Sequence, residues 1–248
     1  LAERILRIFP QRNHSPDRYA QYKQDTLTPK MIIMKKVILL FSLTIGLLTI
    51  CNAQKENKEI KAKGVFSEIE VDKQNETIKT LQGKDKKQKK QTIETVIKNP
   101  NDYNPPVLYA LSQELFLQED KDKATFWFYV AQLRARYDAN LCMDNSAKQA
   151  VSVLNNQYGP DINKYAFQDI EKLEKTVNEV VDFVRTNNEN YEHRWINLHG
   201  MWAVQAGLSD EPETRELSKP KDEWEAIKKK TIDDYYNGFI EYVKSQKK

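Results

Sequence analysis

Apolar residues along this chain recur mostly at intervals of three and four, the spacing of one helix face. The cleanest case is Ala166, Ile170, Leu173, Val177, Val180 and Val184, with Glu171, Lys172, Lys175, Asn178 and Asp182 on the opposite side. Upstream, Gln91–Lys98 carries Ile93, Val96 and Ile97 and is stopped by Asn99-Pro100. Asn104-Pro105-Pro106 then opens a helix through Leu117, with Val107, Leu108, Leu111 and Leu115 on one face; proline is tolerated in a first turn, where its missing donor would have no partner. After the break Glu119–Asp122, residues 123–137 hold two apolar stripes, one of Phe126, Val130, Leu133 and Tyr137 and one of Ala124, Trp127, Ala131 and Ala135. Only Thr125, Gln132 and Arg136 remain as a polar strip, the pattern of a helix in the middle of a bundle. Asp144 is placed to cap a helix with Ala147, Ala150, Val151 and Leu154 inward, ended by Gly159-Pro160. Residues 191–205 read as a helix with Trp195, Leu198, Trp202 and Val204, and 206–221, with Gly207, Pro212 and Pro220, as a loop. A last helix over 222–244 is expected to bury Trp224, Ile227, Tyr235, Phe239 and Tyr242. Before residue 90 the pattern weakens. Residues 64–71 (GVFSEIEV) alternate as a short strand does, and 54–90 otherwise read as a polar, Lys-rich linker. The expectation is an all-α domain over residues 91–248, a compact bundle of about six or seven helices.

The pair of helices at 106–137 has LYALSQ in the first member and DKATFWFYVAQ opening the second, with Ala110, Ala124 and Ala131 at the expected crossing points. In size and in these residues it resembles one tetratricopeptide or Sel1-type repeat, which implies a helical hairpin. The glycines of those repeats and a second copy 34–40 residues away are absent, so the likeness does not extend to a solenoid. The runs FWFYVAQLRARYDANLC and NYEHRWINLHGMWA are also similar to an exported bacterial family, a likeness that implies export and no particular activity.

Export has its own signal. Residues 34–53 pair Lys35 and Lys36 with an apolar run from Val37 to Ile50 and end on Cys51-Asn52-Ala53, the three-part design of a signal peptide cleaved before Gln54. The run is about 14 residues, short of the roughly 20 a spanning helix needs, so no stable membrane span is expected after cleavage. The expected location is periplasmic or secreted. Acylation of Cys51, as in a lipoprotein, fits less well because Ile50 stands where a small residue is usual. Residues 1–33, ahead of the lysine pair, are expected to be an over-extended gene start or a disordered leader.

Composition narrows the function classes. Four Trp, twelve Tyr and nine Phe imply a packed core, and seven Gly leave little room for glycine-rich cofactor loops. The formal net charge is +3, but residues 1–53 hold eight basic and three acidic residues; without them 31 basic face 33 acidic residues, near −2. No broad basic field remains for nucleic acid. Five lysines in Lys84–Lys90 form a local exception, suited to a solvated face, to phosphates or to an anionic membrane surface. After cleavage Cys142 is the one remaining thiol, flanked by Leu141 and Met143 and expected to be buried.

No nucleophile elbow, phosphate loop, HExxH or CxxC motif occurs, so no metal or cofactor is expected. Two segments are chemically dense. In Tyr191–His199, His193 and His199 are six residues apart, about 600° around an α-helix, and cannot share a metal. Either histidine can act as a general base if Glu192 or a distant acid orients it. In Arg134–Asp138, a mostly buried helix carries Arg134 and Arg136, whose guanidinium forks suit an anionic ligand or an internal ion pair with Asp138, Glu114 or Asp169. Trp127 completes a candidate ligand set of Trp127, Arg134, Arg136 and Asp138, although its ring also suits the core. The favoured reading is a non-catalytic envelope protein, of scaffold or immunity type, that binds a protein or peptide through a helical surface. The alternative is a small hydrolase with Glu192, His193, Arg134 and Asp138 in a cleft, which requires 123–137 and 191–205 to be neighbours.

Overall fold

A computed structural model of the chain describes residues 61–211 and 213–246. The expected signal peptide at 34–53, the leader at 1–33, Cys51 and Pro212 lie outside the described residues. Within them run eight α-helices: α1 Asp72–Gln82, α2 Lys86–Lys98, α3 Pro105–Leu117, α4 Lys121–Leu141, α5 Gln149–Ala166, α6 Ile170–Thr186, α7 Met201–Leu208 and α8 Trp224–Gln246. Short 3-10 turns cover Gly64–Glu68, Pro100–Asp102, His193–His199 and Lys221–Glu223. No strand forms among the described residues; one antiparallel bridge pairs Cys142 with Ser218. The all-α expectation therefore holds.

Helix starts follow the local chemistry. The Asp85 carboxylate accepts from the Lys87 and Gln88 amides, Asn104 Oδ1 from the Val107 amide and Asp169 from the Lys172 amide, each satisfying donors that a helix leaves free at its N-terminus. The α4 helix is the central post. Ala124, Phe128, Val130, Ala131, Leu133 and Ala135 are fully buried, and α3, α5, α6 and α8 pack around it. Trp127 belongs to this core, edge-on to Phe126 and Phe183. The face of α6 read from the sequence is as expected, with Leu173, Val177, Val180 and Val184 buried. A smaller apolar cluster of Phe66, Ile69, Leu198, Ala203, Ala206 and Leu217 joins α7 to the turn at Gly64–Glu68.

Several local expectations fail, each for a physical reason. Residues 72–82 are not linker: α1 buries Gln74, Ile78 and Leu81 and packs on α3, a stripe too narrow to stand out among its polar neighbours. The alternation at 64–71 yields no strand but a 3-10 turn over Gly64–Glu68, with Phe66 and Ile69 buried in the small cluster and Val65 and Val71 packed against it. Gly159-Pro160 does not stop α5. A Cβ on Gly159 would sit 3.0 Å from the Phe128 ring, so glycine there serves helix–helix contact, and Pro160 is exposed inside the helix. Ala166 ends α5 rather than starting α6. Residues 191–205 split into a 3-10 turn and α7, and Asp144 caps α7 across space instead of the adjacent helix, whose N-cap is Lys148. In α8, Tyr242 is exposed, whereas Thr231, Ile232, Ile240 and Val243 are buried. No helix among the described residues is long and apolar enough to cross a membrane.

Candidate functional site

The two chemically dense segments meet. Asp138, fully buried one turn after Arg134 on α4, accepts three side-chain donors from the segment that follows α6. His193 Nδ1 lies 2.6 Å from Oδ1, Trp195 Nε1 2.6 Å from Oδ2, and the Tyr191 hydroxyl 3.2 Å from Oδ2. Alternate residues of Tyr191-Glu192-His193-Arg194-Trp195 thus converge on one carboxylate, which the turn entering the 3-10 segment permits and a regular α-helix would not. Burial pushes the Asp138 carboxyl above its ordinary range, while the bonds from His193 and Trp195 pull the other way. Burial disfavours the protonated imidazole of His193, but the hydrogen bond and charge of Asp138 outweigh it, and its pKa is raised above 6.5.

The His193 side chain is 11% exposed, and its ring packs against Tyr191, Trp224 and Tyr137 at centroid distances of 4.8, 5.2 and 5.5 Å. Among the described residues no hydrogen-bond partner falls to Nε2. Glu192 does not orient this histidine. Its carboxylate accepts from the amide, Nε and Nη2 of Arg194 at 3.0, 3.0 and 2.7 Å, so it closes on its own neighbour. His199 lies apart, edge-on to Trp195 at 5.5 Å, with Nε2 buried and without a hydrogen-bond partner among the described residues; burial pushes its pKa down to about 4.

Arg134 is fully buried and fixed, but not by any of the expected acids. Nη1 donates to the Pro100 carbonyl at 2.9 Å and Nη2 to Asn101 Oδ1 at 2.5 Å, Nε faces Glu189 Oε1 at 3.4 Å, and the guanidinium lies over the Phe183 ring. Glu189 also receives Lys228 of α8 at 2.8 Å. Of the acids expected instead, Asp138 is occupied as described, Glu114 pairs with Lys89, and Asp169 caps α6. Arg136 is exposed on another side of α4, over the Tyr235 ring, and Trp127 is core, so Trp127, Arg134, Arg136 and Asp138 do not line one ligand site. Glu189, Tyr191 and Lys228 were not legible as members of the centre, because their partners are far away in sequence. Cys142 is buried as expected, with its Sγ 3.1 Å from Asn197 Oδ1 and its thiol pKa raised by burial to about 11.

This centre carries a base with an orienting acid, yet the hydrogen bonds of Asp138 are all spent on holding residues 191–195 to α4. A shallow depression of about 150 Å³ lies elsewhere, between α4, α5 and α6, where Asp122 accepts from Tyr165 and Lys172. Among the described residues no group of three or more His, Cys, Asp or Glu stands ready for a metal ion.

The same chain segment, once docked, presents α7. Asp144 Oδ2 accepts from the Trp202 amide at 3.0 Å and Ser146 Oγ from the Met201 amide at 2.7 Å, so a loop 55 residues upstream caps the helix. Gly200 makes room for this: a Cβ there would overlap the Asp144 carboxylate. Ala203 and Ala206 face the small core, while Met201 is 54% and Leu208 68% exposed, with Val204 half-buried between them. Met143, beside Asp144, is 39% exposed, and Arg215 lies over the Trp202 ring at 4.5 Å. A scan of protein-family models, a search of curated proteins and a search of solved structures each find no match to this chain.

Proposed function

We propose that this chain is an exported, non-catalytic helical protein that binds a protein or peptide partner in the cell envelope through α7. The observation that carries the reading is the outward stripe of Met201, Val204 and Leu208. Single exposed apolar residues are ordinary, but two largely exposed ones on an eight-residue helix, with Met143 near its capped end, make a patch that water alone does not favour. The three-part segment at 34–53 supports export. The test uses Met201→Lys with Leu208→Lys, surface changes expected to leave thermal unfolding within a few degrees. The wild-type chain is expected to retain a defined partner from the envelope fraction and the double variant to lose at least tenfold of it; equal capture by both refutes the α7 surface. Intact mass is expected to show a chain beginning at Gln54, whereas a lipid-modified start at Cys51 would move the protein to a membrane face.

A second reading has one observation in its favour: among the described residues His193 Nε2 has no hydrogen-bond partner while a carboxylate holds Nδ1, the arrangement of an oriented general base. A hydrolase built on it loses activity in His193→Gln at unchanged fold and in a pH profile set by that imidazole. Partner capture unaffected by His193→Gln favours the first reading.

A further inference from the structure

The turn between α1 and α2 gathers positive charge that is only partly offset, by Asp85 in the turn and by Glu114 against Lys89. Lys84, Lys86, Lys87 and Lys90 are exposed, and Lys79 in the last turn of α1 is exposed beside them. Among the described residues none of these five has a carboxylate within ion-pair distance, whereas Lys89, in the same run, pairs with Glu114 at 2.9 Å. Asp85 caps α2 and offsets part of its dipole, yet the first turn itself holds no acid and places Lys86 and Lys87 where the dipole disfavours cations. Five lysines against the one acid Asp85 in the run Lys84–Lys90 leave a local excess of positive charge, which marks a surface suited to an anionic partner outside the molecule.

From these lysines we infer that the α1–α2 turn is a docking surface for an anionic phospholipid bilayer. Lysine without arginine gives point charges suited to a diffuse field, and lacks the planar forks that single out individual phosphates. Residues 84–98 contain no aromatic side chain on which a base can stack, which disfavours single-stranded nucleic acid. The chain beyond residue 53 carries 31 basic and 33 acidic residues, so long-range attraction to any polyanion is weak and the local cluster orients the molecule on a surface. The α7 partner surface is a separate feature and neither requires the other.

The test is co-sedimentation of the full chain with vesicles of phosphatidylcholine alone or with 30% phosphatidylglycerol, as roughly the charge density of an anionic leaflet. The readout is the ratio of anionic to neutral binding, compared between variants that share residues 1–53, so that the apolar run and the eight basic residues there contribute equally to each. The wild type is expected to bind anionic vesicles at least tenfold better, losing this in 0.5 M salt, where screening shortens to about 4 Å. The variant Lys84→Gln, Lys86→Gln, Lys87→Gln and Lys90→Gln is expected to lower the ratio at least fivefold. A control with Lys229→Gln and Lys230→Gln, whose lysines pair with Asp233 and Asp234, is expected to stay within twofold of wild type. A quadruple variant that keeps the wild-type ratio, a wild type indifferent to lipid charge, or tighter binding to an RNA homopolymer than to the vesicles overturns the inference. Lys86→Gln with Lys87→Gln also removes repulsion among the lysines at the start of α2 and is expected to raise the unfolding temperature; a fall would contradict the excess of positive charge there.

Discussion

Asp138 is one carboxylate on which three buried donors depend, and its removal separates a structural from a chemical role. Asp138→Ala leaves the Tyr191 hydroxyl, His193 Nδ1 and Trp195 Nε1 without their acceptor, and about 3–5 kcal/mol of stability is expected to go in urea unfolding. A loss under about 1 kcal/mol would mean that the segment 191–195 is held by packing alone. The two described histidines make opposite pH contributions. With its pKa raised above 6.5, His193 stabilises the fold fully below 6.5, and that contribution fades as pH climbs through the raised value. His199, lowered to about 4, contributes above 6.5 and loses its contribution as pH falls from there toward 4, because the unfolded chain then binds the extra proton. Proton NMR titration, with the imidazoles assigned, is expected to show His193 titrating above 6.5 and His199 near 4; ordinary titration of both would contradict the described burial and pairing.

At the scale of elements, Pro160 is an exposed proline inside α5, where it removes a backbone donor and a helix hydrogen bond. Pro160→Ala is expected to stabilise the protein by about 1–2 kcal/mol after the greater freedom of the unfolded chain is counted, read as a higher denaturant midpoint at unchanged slope. A destabilised variant would show that α5 depends on a bend at this point. The same dipeptide shows where legibility in the sequence ends. Helices α3, α4 and α6 were readable because their wide apolar faces are periodic over three or more turns. A glycine required by the Phe128 ring and a glycine that ends a helix are spelled alike, so the reason for Gly159 lies in a partner 31 residues away. Residues 191–199 mix Trp195, Leu198 and two histidines at spacings that fit several periods, and their 3-10 form follows from docking on Asp138. The meeting of the Arg134 and His193 segments was expected only as a condition of the hydrolase reading. The donors to Asp138 and the ion pairs of Glu189 are long-range choices that local pattern does not encode.

For the whole molecule, α4 holds the core and the segment 187–208 is fastened across it, by Glu189 to Arg134 and Lys228, by 191–195 to Asp138, and by α7 to the Asp144 cap. One end of this strap is polar and closed; the other is the apolar stripe of α7. The Lys-rich turn of α1 and α2 is a further surface with a different partner chemistry. The α7 stripe is the face proposed to recognise a protein partner. Its most direct test is site-specific photo-crosslinking in cells producing the full chain, with the photoreactive residue at Leu208 in one variant and at the exposed apolar positions Val153 or Leu117 in the others. A discrete protein adduct at 208, absent at 153 and 117, is the predicted result. Adducts at all three positions alike, or at 153 or 117 but not at 208, would contradict it.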